Sequence, residues 1–350
     1  MPEQPKQLRV LVMRLSAMGD ILHALPAVAA LRQAHSEWHI GWAVEPQWRP
    51  LLAAEGATER GPAMPIVDNI HLVPARQWTR SPVSPKTLRE IRYARRELRA
   101  GKYDVCVDLQ GSLRSAIIAK WARARRLIGE DAPRERAARH FFTERIPTRG
   151  VHVIEQATEV IHAIAGDTLP IKLPPLPMDA EAERKAKAQA GPFVLLNPGA
   201  GWGAKRWPPE RYAAVAMRLR DVGYQILVNT GPDEESLASE IATHSEGAAT
   251  VLRSTISELI SVTHRAALVI GGDTGPLHLA SALGRPVVGI FGPTDPARNG
   301  PFGGRFRVLR HPESKRDHTR HNEPEAGLLT ITPDAVTCAA MDLLREEQGS

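Results

Sequence analysis

Between Leu268 and Asp295 the sequence runs strand, turn, helix, strand, turn with little slack, and this stretch restricts the fold more than any other. Leu268–Ile270 is an apolar strand run, and Gly271-Gly272-Asp273-Thr274-Gly275 is a tight polar turn. Pro276 suits the start of a helix, because its missing N–H would be unpaired there anyway. Gly284 reads as the helix stop. Pro286–Phe291 is a second buried strand, followed by the turn Gly292-Pro293-Thr294-Asp295. A strand–helix–strand unit of this length implies parallel pairing. In open parallel sheets ligands sit beyond the carboxyl ends of the strands, where both turns lie. The free N–H groups at the start of the Pro276 helix favour an anion such as a diphosphate. A glycine turn before a helix is also ordinary in α/β proteins. The spacing is not Gly-x-Gly-x-x-Gly, so dinucleotide binding is not indicated.

The same rhythm opens the chain. Leu8–Leu15 is a strand, Ser16-Ala17-Met18-Gly19-Asp20 a turn, and Ile21–Gln33 a helix with apolar residues at helical spacing. Asp20 either stabilises the helix start, where negative charge is favourable, or does chemistry. Strands are expected at Trp38–Val44, Asp68–Val73 and Tyr103–Asp108, with helices at Lys86–Ala100 and Ser112–Ala124. The proline-rich stretch Leu169–Asp179 marks a boundary. A helix at Ala180–Ala190 follows, then strands at Phe193–Leu196 and Gln225–Asn229 with the turn Gly231–Glu235, a helix at Ile256–His264 and a final one at Thr332–Glu347. The loop Asn197–Ala204 before Lys205 is not a Walker A loop, since no Gly precedes the Lys and no Ser or Thr follows it. Alternating strands and helices on both sides of a proline-rich hinge imply two doubly wound α/β domains facing across a cleft, residues 1–168 and 169–332. Residues 333–350 form a last helix that could pack back on the first domain.

Composition narrows the function. With 350 residues the chain exceeds what one core usually serves. There is no run of about eighteen apolar residues to cross a membrane, and Met1–Arg9 has no apolar segment of the signal-peptide kind. Cys106 and Cys338 both lie in apolar segments and read as buried free thiols, with no metal spacing. Net charge is +6, but 76–149 holds nineteen Lys and Arg against eight Asp and Glu, a local excess of +11 that leaves the remainder at −5. Such a zone calls for an acidic partner: nucleic acid, an anionic membrane face or an acidic substrate. Aromatic residues are only 5% of the chain and do not interleave with the arginines, which argues against single-stranded nucleic acid.

Five motifs in order carry a resemblance. They are Ser16-Ala17-Met18-Gly19-Asp20-Ile21-Leu22-His23-Ala24-Leu25-Pro26-Ala27; Asn197-Pro198-Gly199 with Lys205-Arg206-Trp207-Pro208; Gly231-Pro232-Asp233-Glu234-Glu235; Asp273-Thr274-Gly275-Pro276-Leu277-His278; and Phe291-Gly292-Pro293-Thr294-Asp295-Pro296. Together they resemble the ADP-heptose:lipopolysaccharide heptosyltransferases, GT-B-fold glycosyltransferases of family 9, over nearly the whole chain. His23 and the Gly-Pro-Thr-Asp-Pro run look more like type I than type II. The turn Ala200–Ala204 departs from the Thr-containing form of some type I enzymes.

The resemblance implies inverting, metal-independent transfer of heptose from ADP-heptose to a Kdo sugar of the lipopolysaccharide inner core, with Kdo-lipid A as acceptor and no cofactor. Asp20 would be the general base, and Lys205 would lie on the leaving diphosphate. Gly19, Ala200, Gly201, Asp273, Thr274, Gly275 and His278 would line the donor, with Glu234 or Glu235 on the ribose hydroxyls. Arg14, Ser16, Arg76, Arg80, Gln110, Arg114 and Arg134 would face the acidic acceptor. Arg92, Arg95 and Arg99 would face solvent or an anionic membrane. The resemblance further implies a monomeric, cytoplasmic protein, peripheral on the inner face of the inner membrane, with no nucleic-acid partner. Competing readings are another member of the family, of type II or III, a sugar-nucleotide epimerase of the same architecture, or a non-catalytic binder on that scaffold.

Overall fold

The computed structural model describes residues 7–166, 168–189, 191–231, 234–314, 316–317 and 322–348. The chain divides into two compact units, Met1–Met178 and Asp179–Ser350, and the division falls inside the proline-rich stretch.

In the first unit the elements run β1 (Arg9–Met13), α1 (Met18–Ala34), β2 (His39–Val44), β3 (Asn69–Leu72), α2 (Ala75–Trp78), α3 (Pro85–Ala100), β4 (Val105–Asp108), α4 (Leu113–Ala119), β5 (Arg126–Glu130), β6 (Glu144–Ile146) and α5 (Val153–Ala165). The strands form one sheet in the order β3-β2-β1-β4-β5-β6, and every pair is parallel. β1, β2 and β4 read as near-continuous apolar runs because both faces of a covered parallel sheet are dry. Val10–Met13, Ile40 and Val105–Val107 are buried. Gly41 is required where it stands, since a Cβ there would collide with the Tyr103 ring. α3 buries Thr87, Ala94 and Leu98, spaced along one helical face, and is capped by Ser84, whose hydroxyl accepts from Thr87 N at 3.1 Å. α4 is shorter than expected. It tightens to a 3-10 turn at Lys120–Ala122 and stops at Arg123, which takes φ of 55°.

In the second unit the order is α6 (Ala180–Lys187), β7 (Phe193–Asn197), α7 (Pro209–Asp221), β8 (Gln225–Thr230), α8 (Glu235–His244), β9 (Ala249–Arg253), α9 (Ile256–Arg265), β10 (Leu268–Gly272), α10 (Gly275–Ala282), β11 (Val287–Phe291), α11 (Pro296–Asn299), β12 (Phe306–Arg310) and α12 (Pro333–Gln348). The sheet runs β12-β11-β10-β7-β8-β9, again all parallel. The two sheets therefore share one winding: two strands step outward on one side of the unit's first strand, and three step outward on its other side. The direction reverses between β1 and β4 in the first sheet and between β7 and β10 in the second. Crevices at such reversals, beyond the carboxyl ends, are where ligands bind in doubly wound folds.

α12 places Val336, Ala339, Ala340, Leu343 and Leu344 in the core of the second unit with α7 and β7. One expectation needs correction. Cys338 is exposed on that helix, because its position falls on the face turned away from the core, whereas Cys106 is fully buried in β4.

Candidate functional site

In the first unit the turns after β1 and β4 meet at the reversal point. Asp20 lies in the first turn of α1. One carboxylate oxygen accepts from its own helix start, Ala17 N, at 3.1 Å. The other pairs with the Arg14 guanidinium at 2.9 Å. Its side chain stays 40% exposed, so a reactant can reach it. The cap reading and the chemical reading thus coexist in one side chain. Gly19 and Ser16 are half-buried beside it.

Gln110 is placed by the turn after β4, and its side-chain oxygen accepts from Leu15 N at 2.9 Å and Ser16 N at 3.3 Å. Arg134 comes to the same turn, its backbone packing against Gly111. Arg114 is exposed in α4, and Arg76 and Arg80 are exposed in or just after α2. Arg92 and Arg95 are exposed as expected, but Arg99 is half-buried with its Nε shielded from water, because its stem lies against the unit.

Two acids at this edge carry no motif. Glu45, directly after β2, is buried and accepts from Arg76 N at 3.0 Å. Burial raises its carboxyl, offset by the Arg76 hydrogen bond and by the charges of Arg76 and Arg114. Asp108, the last residue of β4, is buried and accepts from Gln110 N at 2.8 Å, Gly111 N at 2.9 Å and Ser115 Oγ at 2.8 Å. Burial outweighs those hydrogen bonds and pushes its carboxyl up to about 6. The signal available in the sequence is an acid closing a buried strand, as Asp273 nearly does.

In the second unit the turns after β7 and β10 meet at the matching reversal. Lys205 Nζ pairs with Asp273 Oδ2, and His278 Nε2 lies 3.0 Å from Asp273 Oδ1. All three side chains are at most 10% exposed. Burial alone would raise the Asp273 carboxyl, but the His278 hydrogen bond and charge, then those of Lys205, outweigh it. The carboxyl is held well below the usual carboxylate range. Lys205 also lies over the Trp202 ring, 4.3 Å from its centroid. The residues read separately as a phosphate contact and a sugar contact are one cluster. Thr274 and Gly275 begin α10 directly beside it, and the backbone N–H groups of that first turn have no intrahelical partner.

Ala200 is buried and Gly201 exposed in the loop after β7. Of the two acids offered for the ribose, Glu235 faces Arg253 at 3.1 Å on the surface. Glu234 instead lies directly over Gly199, where a Cβ would collide with both carboxylate oxygens, and accepts from Gly231 N at 3.3 Å. Glu234 is the one turned to the β7 loop. Pro232 and Asp233 of this motif lie outside the described residues. Among the described residues no group of three or more His, Cys, Asp or Glu is gathered as a metal ion would need.

A sequence profile described as glycosyltransferase family 9 (heptosyltransferase) matches residues 91–328. The chain is 28% identical over 300 residues to a lipopolysaccharide heptosyltransferase 1 of Pseudomonas aeruginosa, covering 85% of this chain and 82% of the relative. It is 27% identical to the Escherichia coli K12 protein of the same description, over 87% of this chain and 94% of that one. The structure of E. coli heptosyltransferase WaaC with ADP-2-deoxy-2-fluoro heptose superposes with a TM-score of 0.77 at 26% identity, over 96% of this chain and 99% of that chain.

Proposed function

Because the chain belongs to glycosyltransferase family 9, the heptosyltransferases, and has their GT-B fold, we propose that it transfers heptose from ADP-heptose to a Kdo residue of the inner core of lipopolysaccharide, with inversion and without a metal. The observation that carries this is the buried Lys205–Asp273–His278 cluster at the start of α10, in a chain similar throughout to an enzyme solved with an ADP-heptose analogue.

The second unit takes the donor. Lys205 and the free N–H groups of α10 meet the diphosphate and offset the charge that grows on it as the glycosidic bond breaks. Glu234 accepts from the ribose hydroxyls. Asp273 and His278 hold Lys205 and contact the sugar. The first unit takes the acceptor. Asp20 removes the proton from the attacking hydroxyl, and Arg76, Arg80, Arg114 and Arg134 meet its carboxylates and phosphates. Asp20 is supported by its reach to solvent and its place at the switch point.

The chain works as a monomer, peripheral on the cytoplasmic face of the inner membrane. Among the described residues no helix is long and apolar enough to cross a membrane. The support for a membrane face is α3, whose exposed residues Lys86, Arg89, Arg92, Arg95 and Arg96 surround Tyr93, while Val83 stands exposed just before the helix.

The decisive assay incubates the protein with ADP-heptose and Kdo-lipid A and follows product mass. One added heptose is expected. Transfer only to an acceptor that already carries heptose would reassign the chain to type II or III. Epimerised sugar nucleotide with no transfer would overturn the transferase reading altogether.

A further inference from the structure

The first sheet's reversal point contains a connected set of bonds that no role described so far uses. Asp108 is 2% exposed and takes three hydrogen bonds, two of them from the backbone of the turn Gln110–Gly111. That turn is therefore fixed to the end of β4. From it two contacts cross to the turn after β1. Gln110 Oε1 holds Leu15 N and Ser16 N, and the Leu109 carbonyl accepts from Arg14 Nη1. The remaining end of the Arg14 guanidinium, Nη2, grips Asp20 at 2.9 Å. The Arg14 side chain is only 15% exposed, and Trp42 Nε1 donates to its carbonyl at 3.0 Å. Arg14 is thus held at both ends of its fork and at its backbone.

We propose that Asp108, Gln110 and Arg14 are positioning residues that fix the carboxylate of Asp20 from the neighbouring strand. An exposed ion pair contributes little, because two long side chains must be ordered to make it. Here the cost of ordering is already met on the arginine side by the Leu109 carbonyl. When Asp20 takes up a proton its pair with Arg14 weakens, but Arg14 stays where it is and the carboxyl group returns to the same place. Within this device Arg14 Nη1 is engaged by the Leu109 carbonyl and Nη2 by Asp20. The charged groups around the relay are Asp20, Arg14 and Asp108, with Glu135 accepting from Leu113 N at 2.9 Å and the exposed Arg134 at the outer side of the turn.

The inference rests on Asp20 being the base, and a double-mutant cycle separates the two. Arg14→Met should lower kcat by roughly 10–100-fold, the scale for misplacing a reacting group by about 1 Å. The acceptor KM and the affinity for ADP should hold. In an Asp20→Asn background the same change should cost less than about twofold, because Arg14 acts through the group already removed. Asp108→Ala should reproduce the loss. Asp108→Asn should recover most of it, since the amide oxygen still accepts from Gln110 N and Gly111 N. If Asp108→Ala does not fold, Gln110→Leu tests the same crossing. A kcat within about twofold of the parent in Arg14→Met, or an equal further loss in the Asp20→Asn background, overturns the relay. Should Asp20→Asn alone keep its kcat, the base assignment fails and the relay with it. Loss in Asp20→Asn with none in Arg14→Met sinks the relay alone.

Discussion

Lys205 is a cation whose surroundings were prepared before any substrate arrives. Its Nζ is shared between the Asp273 carboxylate and the face of Trp202. Removing one member of a buried ion pair strands the other charge, which costs about 3–5 kcal/mol. Lys205→Ala is therefore expected to lose stability on that scale in urea unfolding, and to weaken ADP binding in calorimetry as well. An unchanged urea midpoint would mean that the pair is not buried in solution. The folded Asp273 carboxyl lies below its unfolded value of about 3.9. The contribution of the cluster, from His278 first and Lys205 second, is therefore present above that pH and lost as the pH falls below it. Lys205→Ala should flatten this part of the acid-denaturation curve in part, leaving the share that His278 supplies. Each of these residues was legible by its motif, but their pairing was not. Sequence spacing gives no hint that residues 205 and 273 meet, because only the parallel register of β7 beside β10 brings their turns together. Glu45 and Asp108 were illegible for a simpler reason: an acid at a strand end looks like a turn residue until the neighbouring turn is seen to fold over it.

α3 separates its two faces sharply. Thr87, Ala94 and Leu98 are buried, while Glu90 and Glu97 are half-buried and Glu90 takes the Trp78 Nε1 hydrogen at 3.0 Å. The acids of the helix are thus drawn inward and its outer face is left to arginine and lysine. Near an anionic bilayer each such residue contributes about 1 kcal/mol, so changing Arg92, Arg95 and Arg96 together to Gln should weaken binding to phosphatidylglycerol vesicles by roughly 100-fold. Salt should reproduce the loss by screening. Equal sedimentation of the parent protein with neutral phosphatidylcholine vesicles would dismiss the membrane role. At this scale the central strands and long helices could be read directly, because a strand dry on both faces is apolar throughout. β5, β6 and β9 could not. Arg126 of β5 and Glu144 of β6 pair across the strands at 2.7 Å, so polar residues sit where an apolar run would have marked the sheet. β9 is the outermost strand of its sheet and only its first residue is buried. α5 starts on His152, whose ring accepts from Ile154 N, and no Ser, Thr, Asp or Asn announces it.

Across the whole molecule, each unit has its own sheet and its own core. If the second unit alone holds the nucleotide, ADP at about 100 times its Kd should stabilise that unit by about 2.7 kcal/mol. For a unit of this size the gain is roughly 5–10 °C in its midpoint by scanning calorimetry, with any separate transition of the first unit unmoved. A shift of equal size in both would show that the units unfold as one body or that the nucleotide engages both. The two cysteines bear on how such experiments can be read. Cys106 is enclosed within the first sheet and burial pushes its thiol well up, so it is inert to thiol reagents while the unit is folded. Cys338 stands alone on the outer face of α12. A maleimide dye should therefore attach once per native chain, and always to the second unit. The protein carries a single-site optical reporter on its second unit without any engineering, and uptake of a second dye would mark the moment the first sheet comes apart.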